Sequence, residues 1–351
     1  MTSMTPVVKE PHRAGPHGGR RHWPRVLGIV GAILALAAIA VTVTVANLPS
    51  GGPSQTSAQH DHGGRSLIPA HGALFGAYVQ PTGGFQARKV ESDVVRFERA
   101  LGRKLAIDQF YVHWAAPMPL ALARWDLREG RIPLISWAST RTDLIAAGAY
   151  DAQIQARALQ LRDLRGPVML RWFAEMDGLQ YQANAVSPAS FIRAWRHIHD
   201  IFSSVGTANV HWVWCPTSYH FETGLAQQFY PGNAYVDWIG ADGYSWAPKH
   251  PRASWRSFAQ IFSVFYRWSV RMGKPLLVGE YGVLERAPGE KAAWFRQADR
   301  QLRTQFPAIR AVVYFNSNHE HYNWKVTTSR SALAAFRAFA RDPYFSARPA
   351  M

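Results

Sequence analysis

Two glutamates stand where apolar sequence gives way to loop. Glu175 ends the apolar part of Val-Met-Leu-Arg-Trp-Phe-Ala-Glu-Met-Asp-Gly (168–178), and Glu280 that of Pro-Leu-Leu-Val-Gly-Glu-Tyr-Gly (275–282). Each stretch reads as a buried strand that delivers a carboxylate at its C-terminal end. Stability alone disfavours a carboxylate there, because a charge that leaves water must find compensating partners. Two such groups, 105 residues apart, can divide one reaction between them. One serves as general acid/base and the other as nucleophile, the division that retaining glycoside hydrolysis on a β/α barrel requires. The structural alternative is that each glutamate pairs with a core arginine.

Strand parity extends the list. Alternation predicts that Arg171, Phe173 and Glu175 share one direction while Trp172 and Ala174 take the other. This would place Arg171 beneath Glu175. The same parity groups Leu276, Val278 and Glu280, and it groups Asp242 with Tyr244. Asp108, at the end of another apolar run, is a further candidate for the site.

From Gly72 onward, short apolar runs alternate with amphipathic stretches, the pattern of repeated βα units. Strands are predicted at Ala73–Val79, Leu105–Val112, Ile132–Trp137, Val168–Phe173, Val210–Cys215, Val236–Ala241, Leu276–Gly279 and Ala311–Phe315. Helices are predicted at Val90–Leu101, Asp151–Leu164, Pro188–Phe202, Trp255–Met272, Glu290–Gln305 and Ser331–Arg341. The links after the second and fifth strands show no regular period. Eight strands without a Gly-rich phosphate turn after the first favour an α/β fold of the (β/α)8 TIM-barrel type over an open doubly wound sheet.

Three segments, in this order, carry a resemblance: Arg-Trp-Phe-Ala-Glu-Met-Asp-Gly (171–178), Tyr-Pro-Gly-Asn-Ala-Tyr-Val-Asp-Trp-Ile-Gly-Ala-Asp-Gly-Tyr (230–244) and Val-Gly-Glu-Tyr-Gly (278–282). Val-Trp-Cys-Pro (213–216) and Tyr-Phe-Asn (314–316) support them. From about Gly72 to Arg341 the chain resembles glycoside hydrolase family 26, retaining hydrolases that place their carboxylates on strands four and seven. The resemblance implies that Glu175 is the acid/base, Glu280 the nucleophile and Tyr244 a hydrogen-bond donor to the nucleophile. Arg171 would help to keep a carboxylate ionised. Trp324 and Trp214 are candidates for an aromatic floor under the sugar, and Trp137 and Trp114 also sit near strand ends. Each of the four could equally fill the core. The position before the acid/base, usually histidine in that family, is Ala174 here. The family's Asn-Gly and following tryptophans become Asp177-Gly178-Leu179-Gln180. These changes leave the two-carboxylate chemistry in place and leave the sugar open between mannan, the family's commonest substrate, and other β-linked polymers.

The remaining sequence bounds the setting. Residues 1–25 carry five Lys/Arg against one acid, and 26–46 run for 21 residues without a charge. That is long enough to cross a bilayer core of about 30 Å. The basic flank predicts a cytoplasmic tail, a membrane anchor at 26–46 and an exported remainder; a cleaved signal peptide is the rival reading. Residues 47–71, rich in Pro, Gly, Ser and His, read as a flexible linker in which His60, Asp61 and His62 are solvated. The catalytic domain is expected at 72–345. Cys215 is the only cysteine, so no intramolecular disulfide forms, and its apolar surroundings predict an inert core thiol. The formal charge is +16, of which +12 lies beyond the tail. This suits an acidic polysaccharide or an anionic envelope, or no dedicated ligand at all. No aromatic-basic nucleic-acid motif accompanies the charge. The 14 Trp and 13 Tyr can fill a core or stack on sugars. His319, Glu320 and His321 have ligand-like spacing but read as loop packing or substrate hydrogen bonding, and no metal or organic cofactor is expected. Besides β-linked mannan or glucan, two other roles fit: trimming of the cell's own exported polysaccharide, and glycan binding without turnover.

Overall fold

Eight parallel strands close on themselves in chain order: β1 Leu74–Val79, β2 Ile107–Val112, β3 Ile132–Trp137, β4 Val168–Trp172, β5 Val210–Trp214, β6 Trp238–Ser245, β7 Leu276–Val283 and β8 Ile309–Asn316. Closure is made by β1 and β8, paired from Leu74↔Ala311 through Val79↔Asn316. The computed structural model describes residues 67–247, 254–319 and 322–347. The basic tail, the uncharged run 26–46, the linker up to residue 66, Glu320 and His321 lie outside these. Among the described residues no helix is long and apolar enough to cross a membrane.

Alternation along the strands sorts the core into two layers. Leu74, Ile107, Leu134, Met169, Val213, Trp238 and Leu277 point inward and plug the lower barrel. Their neighbours Phe75, Phe110, Ile135, Leu170, Trp212 and Val278 face the helices. Leu67, read from sequence as linker, is buried in the inner plug, so the folded unit starts ahead of residue 72. Helix Pro188–Ser204 shows how the outer layer is specified. Ser187 caps it, accepting from Ser190 N, with proline in the first turn where its missing N–H costs nothing. Phe191, Ala194, Trp195, Ile198 and Phe202 then form one buried stripe, and Phe191 stacks on Trp172 of β4 at 5.4 Å. The irregular link after β2 contains helix Leu120–Arg128, and that after β5 contains single turns at His220–Thr223 and Leu225–Gln228.

Three tryptophans offered as sugar platforms belong to this outer layer. Trp137 and Trp114 stack on each other at 4.6 Å and 10°, with Trp137 Nε1 donating to Trp114 O. Trp214 is wholly buried between Phe221, Tyr230 and Trp268. Outward parity puts Trp137 and Trp214 between barrel and helices, and Trp114, just past the end of β2, packs there against Trp137, so all three fill the core and none presents a face to a ligand.

Asp108 is also placed differently from expectation. One residue on from inward-facing Ile107, it faces outward into a buried group of Asp126, Arg131 and Glu98. Arg131 Nε and Nη2 grip Glu98 at 2.8 and 2.7 Å, while its Nη1 is 3.6 Å from Asp126. Burial pushes the Asp108 carboxyl up to about 7 against the pull of Arg131. Burial and the Asp108 charge also raise Asp126. The two aspartates thus hold a proton that the unfolded chain, with carboxyls near 3.9, releases far earlier. A folded pKa above the unfolded one gives stability that is complete below about 3.9 and is lost progressively as pH rises to about 7. Thermal melts from pH 4 to pH 8 should show this contribution as a Tm loss with rising pH that is smaller in Asp108→Asn. Parallel pH slopes in the two proteins would sink the shared proton.

Candidate active site

β7 does not run with simple parity. Ala241 of β6 faces Val278, but Asp242 faces Glu280, so β7 carries one extra residue, Gly279. Leu276 and Val278 therefore face the helices and Leu277 faces the axis. The bulge then turns Glu280 inward, which breaks the expected grouping of Leu276, Val278 and Glu280. Only glycine fits at the bulge: a Cβ on Gly279 would lie 2.6 Å from Cys215 Sγ and 2.7 Å from Asp242 Oδ1.

β4 solves a similar problem with backbone strain. It ends at Trp172, and Phe173 and Glu175 then adopt φ of 48° and 54°, a region that non-glycine residues rarely enter. Phe173 leaves the direction of Arg171, and its ring packs with Trp172 and Phe191 at 5.7 and 5.9 Å. The second left-handed residue brings Glu175 back over the barrel mouth, with its N–H donating to Cys215 O at 2.9 Å. Such conformations cost on the order of 1–3 kcal/mol each and persist where the surroundings impose them.

Between Asp242 and Glu280 lies Arg171, wholly buried and bonded to both. Its Nη1 donates to both Asp242 oxygens at 2.9 and 2.8 Å, its Nη2 to Glu280 Oε1 and its Nε to Ser136 Oγ at 2.9 Å. Glu280 Oε1 also accepts from Tyr111 OH and from Gln109 Nε2, and Oε2 accepts from Tyr244 OH. Cys215, expected to be an inert core thiol, donates to Asp242 Oδ1 at 3.1 Å, and burial pushes its thiol well up. One carboxylate oxygen from each of Glu175, Asp242 and Glu280 lies within 4.8 Å of the other two. Arg171 already supplies the positive partner of two of these three groups.

Tyr111 and Gln109 do not appear among the residues singled out from sequence. The signal is present in Ile107, Gln109 and Tyr111, an inward-facing set that turns polar towards the mouth as β4 and β7 do. Trp324, 2 % exposed, packs beneath Tyr244 at 4.8 Å and against Trp246 at 5.0 Å. It supports the tyrosine and offers little face to a ligand. On the other side of the mouth Asp177 accepts from Thr217 N and Oγ1 and lies 3.1 Å from His220 Nδ1. This ties the loops after β4 and β5 together. Leu179 and Tyr219, 77 % and 57 % exposed, stand on those two loops.

The carboxyls are electrostatically unequal. Burial works to raise Glu280, but the Arg171 charge and the bonds from Arg171, Tyr111 and Tyr244 outweigh it and hold the group below its ordinary value. Glu175 is pushed up to about 8, by burial first and then by the Glu280 charge. Among the described residues no donor reaches its carboxyl. Burial also raises Asp242, against Arg171.

The sequence matches the profile of glycosyl hydrolase family 26 over residues 65–312. Endoglucanase H of Acetivibrio thermocellus is 32% identical over 261 residues, which are 70% of this chain and 29% of that protein. A β-1,3-xylanase of a Vibrio species is 28% identical over 142 residues, 39% of this chain and 28% of its own length. The chain thus spans under a third of either relative. The solved catalytic domain of the Bacillus sp. JAMB-750 GH26 endo-β-1,4-mannanase shares the fold with a TM-score of 0.61 at 16% identity, over 78% of this chain and 86% of that one. Closed barrel, site and profile agree, and the chain belongs to glycosyl hydrolase family 26, whose members are retaining glycoside hydrolases.

Proposed function

We propose that this barrel cleaves a β-linked polysaccharide internally, with Glu280 as nucleophile and Glu175 as acid/base. The carrying observation is the contrast between the two carboxyls. Glu280 receives donors from Arg171, Tyr111, Gln109 and Tyr244, while Glu175 receives none among the described residues and is pushed up to about 8. Their oxygens lie within 4.8 Å, in keeping with the separation of about 5 Å that suits a covalent, retaining course.

Glu280 Oε1 is committed to three donors, so Oε2 attacks the anomeric carbon. The glycosidic bond breaks, its electron pair stays on the leaving oxygen, and Glu175 supplies the proton. Glu175, now ionised, takes a proton from water. That water attacks the anomeric carbon and Glu280 is released as carboxylate. The leaving sugar departs on the Glu175 side, where Leu179, Tyr181 and Tyr219 expose apolar surface.

The relative at 32% identity is named an endoglucanase, which supports β-glucan ahead of mannan. The uncharged run 26–46 supports action outside the cytoplasm from a membrane tether. Reducing-end release by the full chain from β-glucans, β-mannan and β-1,3-xylan is the test, with turnover expected on β-glucan. Tight binding across the panel without any release would favour the non-catalytic alternative. Tyr111→Phe should cut kcat/KM by about tenfold and move the acid limb of its pH profile upward, because Glu280 loses a bond that favours its ionised form. An unmoved limb would contradict the role assigned to Tyr111.

A further inference from the structure

Lys291 is a wholly buried lysine that the reaction does not use. It lies in the first turn of helix Glu290–Gln305, where the helix dipole disfavours positive charge. Among the described residues it forms no ion pair, and burial pushes its amine down to about 7 against a weak pull from Glu285. For stability alone an apolar side chain of similar length would serve better. Its ammonium instead donates to Trp324 O at 3.1 Å and Lys325 O at 2.6 Å, and Tyr314 OH donates to Trp324 O as well. Trp324 N closes the same segment onto Ser317 O at 2.8 Å. The indole held this way packs on Tyr244, and both rings fit only because residue 282 is glycine. A Cβ there would come within 3.0 Å of Trp324 Cε3 and of Tyr244 Cδ1. Tyr244 in turn donates to Glu280 Oε2, the oxygen that must be free to swing towards the sugar.

We propose that Lys291 is a positioning residue, which fixes the Trp324 backbone so that the indole sets the Tyr244 hydroxyl against the attacking oxygen of Glu280. The proposal rests on Glu280 being the nucleophile. Removing the charge while keeping the length isolates the effect. In Lys291→Met, Tm should stay level or rise, kcat/KM should fall by about tenfold, and the acid limb should move upward as the Tyr244 bond to Glu280 loosens. Tyr244→Phe should then cost less in the Lys291→Met background than in the parent, because the two changes act through one contact. Near-UV circular dichroism supplies a readout independent of turnover, since the Tyr244–Trp246–Trp324 cluster should lose band intensity in Lys291→Met. If the parent turns over nothing, the nucleophile assignment fails while the dichroism still tests the link from Lys291 to Trp324. If Lys291→Met unfolds, Lys291→Arg is the comparison: its bulkier head should displace the Trp324 carbonyl, move the acid limb upward and weaken the near-UV bands, and an unmoved limb with unchanged bands would overturn the proposal. Strictly additive losses, or an unchanged acid limb and dichroism in folded Lys291→Met, would overturn the proposal.

Discussion

Glu280→Ala should abolish turnover, by roughly 10⁴-fold or more, while the protein stays folded and keeps its grip on substrate. The size follows from the role: without a nucleophile no glycosyl-enzyme forms, and the remaining machinery only binds and protonates. Retention of the fold follows from the charges. Arg171 keeps both bonds to Asp242, so removing Glu280 leaves a neutral buried pair in place of one cation between two carboxylates. Asp242, which the Glu280 charge helps to raise, then ionises more readily. Glutamine is the poorer test, since its amide N–H group would face Arg171, Tyr111 or Tyr244, all donors at that spot. Azide gives the decisive readout on an activated aryl β-glycoside. In Glu280→Ala it fills the vacated space, attacks from the nucleophile's face and yields the α-glycosyl azide. A β-glycosyl azide from this variant would exchange the roles of the two glutamates.

The polar residues of the barrel mouth were legible as residue types and misleading as strand ends. β3 and helix Glu290–Gln305 have the limits that periodicity predicts, because their apolar pattern runs to the end of each element. β6 and β7 run on through Ser245 and Val283, beyond the predicted Ala241 and Gly279. Inside a barrel mouth the ladder continues where side chains turn polar and small, and Asp-Gly-Tyr or Gly-Glu-Tyr-Gly then reads as loop. Parity failed at the two places where the chemistry is aimed, the Gly279 bulge and the left-handed Phe173 and Glu175. A period-two pattern carries no mark of either device. The aromatic candidates divided by the same parity. Trp114, Trp137 and Trp214 fell outward into the core, while Tyr111 escaped notice because a tyrosine in a strand ordinarily packs.

Glu175→Ala should separate the two halves of the reaction. On polysaccharide, whose leaving alkoxide needs a proton, the first step falls by about 10²–10⁴. A dinitrophenyl β-glycoside needs no proton to depart, so its kcat/KM should hardly change. Release of the glycosyl-enzyme still lacks a base, so kcat and KM fall together as the intermediate accumulates, and azide restores turnover with a β-glycosyl azide. The pH profile carries the second signature. Glu175 must be protonated to act as acid, so kcat/KM of the parent on polysaccharide should decline above about pH 8, where burial and the negative Glu280 have pushed its carboxyl. That alkaline limb should be absent from Glu175→Ala on the activated substrate. Part of the shift lapses during the cycle. Once Glu280 is esterified its charge is gone, and the Glu175 carboxyl keeps the effect of burial but loses the second cause that raises it. It moves down towards the base role that the second step needs. An alkaline limb that persists in Glu175→Ala would place the proton on another residue and sink this division of labour.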